Sequence, residues 1–210
     1  MVGFNTEKSL IRQGYHHLAG VDEVGRGSLF GPVVAAAIVF SEGFFLKRKA
    51  GWVKEVGDSK LLRPTKRIEL VPFILEAASD FGLGYATSDE IDKLNIFRAT
   101  RLAMIRALKD LTLFPDIILV DGYPIKDIDY IQAGIPQGDR KVFSIAAASI
   151  VAKVFRDGLI QMLDELYPGY ELRQHKGYAT ESHYQALEKL GPCPLHRRSF
   201  NLFKERLLVK

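Results

Sequence analysis

Apolar positions follow two rhythms along this chain: short unbroken runs, and recurrences at spacings of three and four. Leu18 to Val24 and Pro32 to Phe40 are runs of the first kind, the second β-branched and alanine-rich, and Gly25-Arg26-Gly27 lies between them. Apolar runs around a glycine-rich turn predict the two strands of a hairpin. From Pro64 to Asp80 the apolar residues Ile68, Leu70, Val71, Ile74, Leu75 and Ala78 recur at helical spacing behind an initial proline, which predicts a helix. Gly82 to Thr87 predicts a third strand. Thr87-Ser88-Asp89-Glu90 has the form of a capping box, and Ile96 to Leu111 reads as an amphipathic helix.

Beyond it, Asp116 to Val120 predicts a short buried strand that runs directly into Asp121, and Asp127 to Gly138 is rich in turn residues. Ser144 to Tyr167 reads as a long helix, close-packed at Ala146-Ala147-Ala148 and stopped by Pro168 and Gly169. A helix near Thr180 to Leu190, a Gly-Pro-Cys-Pro break and a final basic helix complete the pattern. This order predicts an α/β fold, a mixed sheet flanked by helices with a small helical C-terminal appendage. The expected division places the α/β body over residues 1–170 and the helical appendage over 171–210.

Composition narrows the function classes. With 210 residues, 47% of them hydrophobic, the chain can bury a full core. Its apolar runs, such as Gly31 to Phe40, fall far short of the roughly 20 residues of a membrane-spanning helix. With no signal-peptide pattern at the N-terminus, the expectation is a cytoplasmic protein without membrane attachment. Cys193 is the one cysteine, so an internal disulfide and a cysteine-based zinc site are excluded. The net charge of +4 decides little alone. From Arg173 onward, however, Arg173, Lys176, Lys189, Arg197, Arg198, Lys204, Arg206 and Lys210 outnumber the acids Glu181, Glu188 and Glu205. That surplus reads as a polyanion-facing surface, with a solvated helical face as the alternative.

Candidate chemistry lies in the acids at strand ends, where open α/β sheets gather their sites. Asp22 and Glu23 interrupt one apolar strand and Asp121 follows another. Clustered carboxylates suit magnesium or manganese, which can work in pairs. Neighbouring strand residues point to opposite faces, so Asp22 and Glu23 could share one metal only through a local distortion or a backbone carbonyl. Spacing alone leaves the alternative open that Asp22 pairs with Arg26 and Asp121 caps a turn.

Six strings recur together: Gly20-Val21-Asp22-Glu23-Val24-Gly25-Arg26-Gly27, Asp58-Ser59-Lys60, Asp121-Gly122, Gly138-Asp139, Ala146-Ala147-Ala148-Ser149-Ile150-Val151-Ala152-Lys153, and His175-Lys176-Gly177-Tyr178. In content and order they resemble bacterial ribonuclease HII, and the resemblance runs from Ala19 to Phe200. It implies an RNase H-like fold with four catalytic, metal-holding acids, Asp22, Glu23, Asp121 and Asp139. Two Mg2+ or Mn2+ ions would serve with substrate bound, leaving 5′-phosphate and 3′-hydroxyl ends. Asp157 is the rival for the fourth acid, its alternative being a helix salt bridge with Lys153.

The resemblance also implies how substrate is read. Gly25, Arg26 and Gly27 would approach the 2′-hydroxyl that tells ribose from deoxyribose, and Tyr178 would stack on the deoxyribose that follows. Lys60, Lys176, Arg197 and Arg198 would contact phosphates, which position a duplex without reading bases. Ser149 and Lys153, on one helix face, would touch phosphate too. His175, His183 and His196 are expected to support the site or contact phosphate and not to bind metal. The implied partners are RNA/DNA hybrids and DNA containing ribonucleotides, the implied role is removal of misincorporated ribonucleotides or primer remnants, and the expected state is a monomer. A sliding-clamp contact through the tail from Phe203 stands open beside a plain helix end. The short stretch before the first motif favours type HII over HIII. Rival classes are a non-catalytic hybrid-binding module, which would have no use for the four acids, and a transposase or resolvase of the same fold, which would not need the Gly-Arg-Gly and tyrosine pair.

Overall fold

The computed structural model describes residues 2–47 and 50–203. Its core is a five-stranded sheet in the order β3-β2-β1-β4-β5, formed by β1 (His17–Val24), β2 (Val33–Ser41), β3 (Asp80–Ala86), β4 (Ile117–Asp121) and β5 (Gln132–Ile135). The apolar runs around Gly25-Arg26-Gly27 form the expected hairpin, with Val21 opposite Ala37 and Asp22 opposite Ala36. β1 pairs in parallel with β4, Gly20 beside Leu119 and Val21 beside Val120. Parallel pairing brings the C-terminal ends of both strands, with their acids, to one edge of the sheet.

The helices are α1 (Asn5–Arg12), α2 (Glu42–Leu46), α3 (Pro64–Ala77), α4 (Ser88–Leu94), α5 (Ile96–Lys109), α6 (Phe143–Leu166), α7 (Leu172–His175) and α8 (Glu181–Leu190). α6 covers one face of the sheet, where Leu18, Ile38 and Leu119 join its Ile145, Ala148 and Ala152 in one core. α5 covers the other, where Ala19, Val21, Ile118 and Val120 meet Ala99, Ala103 and Ala107. Both faces being covered explains why β2 reads as a continuous apolar run. The approach is close enough to demand glycine, since a Cβ on Gly20 would lie 2.0 Å from the Ser144 carbonyl carbon. A third core joins Leu29, Phe30 and Ile160 to Tyr170, Leu172, Leu187 and Leu202, so the described part of residues 171–210 packs on the chain just after β1.

Most expected elements are present within a few residues, including the capping box in which Thr87 accepts from Glu90 and the Glu90 side chain accepts from Thr87. Some features differ from expectation, the short helices α2 and α7 among them. The turn-rich stretch contains β5, too short for its four half-buried residues to show an alternation. α1 was not foreseen, and it is anchored by Glu7, whose Oε1 accepts from the Ser144 backbone N–H at the start of α6 (3.0 Å). The expected final basic helix has no counterpart between Gly191 and Phe203; its remainder, with Lys204, Arg206, Lys210 and nearly all of the tail from Phe203, lies outside the described residues. Among the described residues no helix is long and apolar enough to cross a membrane.

Candidate active site

Strand alternation sorts the acids. Asp22 shares the α6 face with Leu18 and Gly20, and Asp121 shares it with Ile117 and Leu119. Continuing the β1–β4 register past Val21 and Val120 sets these two aspartates side by side. Asp139 arrives from the 3-10 turn Gly138–Arg140, tied to β4 because the Gly138 N–H donates to Asp121 Oδ1 at 2.6 Å. Glu23 falls on the α5 side, where it lines a cleft of about 610 Å³ with Arg26, Phe97, Thr100 and Tyr123, a cleft that Asp121 at the end of β4 also lines. The sheet stays regular through both residues, so the opposition of Asp22 and Glu23 expected from the sequence is present and no bulge relieves it.

These carboxyls repel one another in a desolvated place. Burial, the Glu23 charge and the Asp121 charge push the Asp22 pKa well above the ordinary aspartate value, opposed by the Ser149 hydroxyl and the Glu23 N–H. Glu23 is also raised, by burial and Asp121, against the pull of Arg26, whose Nη1 lies 3.2 Å from Oε1. Asp139 is raised by burial and by Asp121 and Asp58. Repulsion of this kind is what a divalent cation relieves, and an all-oxygen donor set suits magnesium or manganese. The residues therefore fit such an ion in kind and place. As the side chains stand they are not a finished ligand set: among the described residues, no group of three or more His, Cys, Asp or Glu is arranged to hold a metal. Asp22 Oδ1 instead accepts from the Glu23 N–H at 2.7 Å.

Beside the acids stands a wall built from several chain segments. Gly25 has a left-handed φ of +93° and backs onto Arg156, whose Nε would lie 2.2 Å from any Cβ there; Gly27 faces open space. Arg26 is exposed and stacks over Phe97. Tyr178 is half-buried, with Lys153 Nζ and the Arg156 guanidinium about equally far from its ring centre, at 5.4 and 5.5 Å. Ser149 is buried and shares a hydrogen bond with Ser59 (2.9 Å). Lys60 is exposed and close enough to Asp139 to favour its ionised form. Arg198 is exposed, and Lys176 is half-buried with its Nζ donating to the Arg173 carbonyl.

One expectation is corrected outright. Arg197 is fully buried, its Nε donating to the Gly31 carbonyl and its Nη1 to the Arg26 carbonyl, both at 2.9 Å. It holds the glycine turn from behind and is not placed to meet a phosphate. Asp157 binds Lys153 at 2.9 Å and lies 3.7 Å from Arg67, which matches the salt-bridge alternative for that residue. The sequence reading missed Arg156, also fully buried, which donates to the carbonyls of Pro32, Phe30 and Lys176 and to Ser28 Oγ. A signal existed: Arg156 continues the buried stripe of Ile145, Ser149 and Ala152 at helical spacing, and a charge on such a stripe needs internal partners.

A family model described as Ribonuclease HII matches residues 19–203. A curated protein named Ribonuclease HII from Dehalococcoides mccartyi is 48% identical over 194 residues, covering 92% of this chain and 90% of that protein. Another of that name, from Trichormus variabilis, is 50% identical over 184 residues, covering 87% and 80%. Among solved structures, ribonuclease H2 from Pyrococcus horikoshii OT3 aligns with a TM-score of 0.71 at 26% identity, over 92% of this chain and 100% of that one.

Proposed function

The chain belongs to the ribonuclease HII family, and from that premise we propose that Asp22, Glu23, Asp121 and Asp139 hold divalent metal for cleavage of RNA paired with DNA. It is an endoribonuclease of a metal-dependent family. The finer reading is that it nicks on the 5′ side of a ribonucleotide embedded in duplex DNA, leaving 3′-hydroxyl and 5′-phosphate ends, and so serves ribonucleotide removal. Mg2+ or Mn2+ bound there, two ions with substrate present, would activate water and offset charge on the leaving 3′ oxygen.

The chain's own residues do the rest. Asp22 and Asp121, fixed on adjacent parallel strands, provide the rigid part of the donor set, and Asp139 closes it from a turn. Gly25, Arg26 and Gly27 present backbone to the sugar, Tyr178 lies against the next sugar, and Lys60, Lys153 and Arg198 hold phosphates. Residues 171–203 act as the substrate-side wall that carries Tyr178.

The observation that carries this reading is that burial and the charge of Asp121 raise Asp22, Glu23 and Asp139 alike, so that four acids from three chain segments crowd one place. Asp121→Asn tests it. Nicking of a ribonucleotide-containing duplex should fall by about a hundredfold or more while duplex binding stays within about threefold. An undiminished rate would remove Asp121 from the site.

A further inference from the structure

Behind the wall lies a set of three buried histidines that the chemistry above does not use. The chain from Ser28 to Gly31 is clamped on both sides: the Leu29 N–H donates to the Gly177 carbonyl (2.8 Å), the Gly31 N–H to the Leu195 carbonyl (2.9 Å), and the Arg197 N–H to the Leu29 carbonyl (2.9 Å). Beneath this clamp, His183 and His196 are essentially inaccessible to solvent.

Their hydrogen bonds admit one arrangement of protons. His183 Nδ1 lies 2.9 Å from the Tyr178 carbonyl, which can only accept, so Nδ1 carries the hydrogen and Nε2 is an acceptor. The partner of that Nε2 is His196 Nε2 at 3.1 Å, which must then be a donor. His196 Nδ1 is left as an acceptor, and the Cys193 N–H donates to it at 3.0 Å. His175 stacks on His183 with ring centres 4.4 Å apart; its Nε2 donates to the Tyr170 carbonyl and its Nδ1 accepts from the Gly177 N–H. Burial lowers the pKa of His183 and of His196 to about 4, which keeps both rings neutral near neutral pH.

A merely space-filling core would not choose imidazoles here. The peptide they hold is strained, with Lys176 at φ 53° and Gly177 at φ 77° in succession, and a turn of this kind persists only where its surroundings fix it. We propose that His183 is a positioning residue for sugar recognition: the proton-ordered chain from the Cys193 N–H through His196 and His183 to the Tyr178 carbonyl sets the Tyr178 ring against the Gly25–Gly27 turn. The proposal rests on the assignment of that wall to substrate. It makes the histidines part of the ruler that measures the ribonucleotide, without contact with substrate.

Two measurements on the full chain test it. Nitrogen-15 NMR of the imidazoles should find His183 protonated at Nδ1, the tautomer disfavoured in free histidine, and His196 and His175 protonated at Nε2. His183 found as the Nε2–H form, or averaging between tautomers, would overturn the chain. In kinetics, His183→Leu should raise KM for a duplex with one ribonucleotide about tenfold, with kcat within about twofold. His183→Asn, whose amide can occupy the place of Nδ1, should return KM to within about threefold of wild type, although both variants lose the bond to His196. Equal KM values for the two variants, or changes that simply follow thermal stability, would overturn the positioning role. If His183→Leu does not fold, His196→Leu against His196→Gln asks the same question, since the glutamine amide can still donate to His183, and it is overturned by the same equality. A wild-type protein that leaves the duplex uncut would instead sink the nuclease assignment, with the tautomer result standing.

Discussion

Gly25 and Gly27 flank one arginine yet answer to different constraints. Gly25 is required by the fold, through its left-handed φ and the Arg156 side chain against its α-carbon, whereas Gly27 has neither a positive φ nor a neighbour within reach of a Cβ. Gly25→Ala should therefore destabilise by about 1–3 kcal/mol, a fall in Tm of roughly 2–10 °C, read by thermal denaturation. Gly27→Ala should leave Tm within about 2 °C yet, under the proposed reading, slow nicking about tenfold, because a methyl there meets no protein atom and would face the sugar. A Gly27→Ala enzyme with normal kinetics would remove that glycine from sugar recognition. At this scale the sequence was legible where an apolar strand ends in an acid, as in the placement of Asp22 and Asp121 on neighbouring strand ends, and misleading where only charge spoke. Arg197 and Arg198 are adjacent bases, and nothing in their order tells that Arg197 turns inward to the Gly31 and Arg26 carbonyls while Arg198 stays exposed.

Elements place the acids. The parallel ladder of β1 on β4 carries Asp22 to Asp121, and the strand alternation that sends Glu23 to the α5 face was readable from adjacency alone. What could not be read was how α6 is seated. Its first turn takes Glu7 from a helix some 137 positions earlier, a contact without local signature. Glu7→Ala should lower stability by about 1–2 kcal/mol, as measured by denaturant unfolding. The histidines between α8 and the last turns make a second expectation. Their folded pKa values, about 4, lie below the ordinary 6.5, so the unfolded chain takes up protons first as pH falls. Their contribution is complete above about pH 6.5 and is lost progressively toward pH 4. Glu90, lowered to about 2 by Arg106, acts in the same sense but only below its ordinary 4.5. Asp22, Glu23, Asp139 and Glu7, raised by burial, act in the opposite sense, so the histidines' share is read by difference: the Tm advantage of wild type over His183→Leu should shrink from about pH 7 to pH 5, and a difference constant across that range would contradict the buried neutral pair.

Across the whole molecule, the α/β order was legible because strands and helices differ in period, and β5 escaped because four half-buried residues carry none. Arg26, Lys60, Arg98, Lys126 and Arg198 are all exposed, the first four on or near the acid-bearing edge. Duplex affinity should therefore fall steeply with salt, by about tenfold or more between 50 and 200 mM for three or more phosphate contacts, and an affinity indifferent to salt would place the nucleic acid elsewhere. The central claim is that acids from separate segments hold metal beside a wall that recognises one ribose. Its most direct test is to incubate the protein with duplex DNA carrying a single ribonucleotide, with magnesium or with a chelator, and to map the ends. One nick on the 5′ side of the ribonucleotide, made only with the metal, is the predicted result; an intact strand with magnesium present, or cutting that ignores the ribonucleotide or persists in chelator, would contradict it.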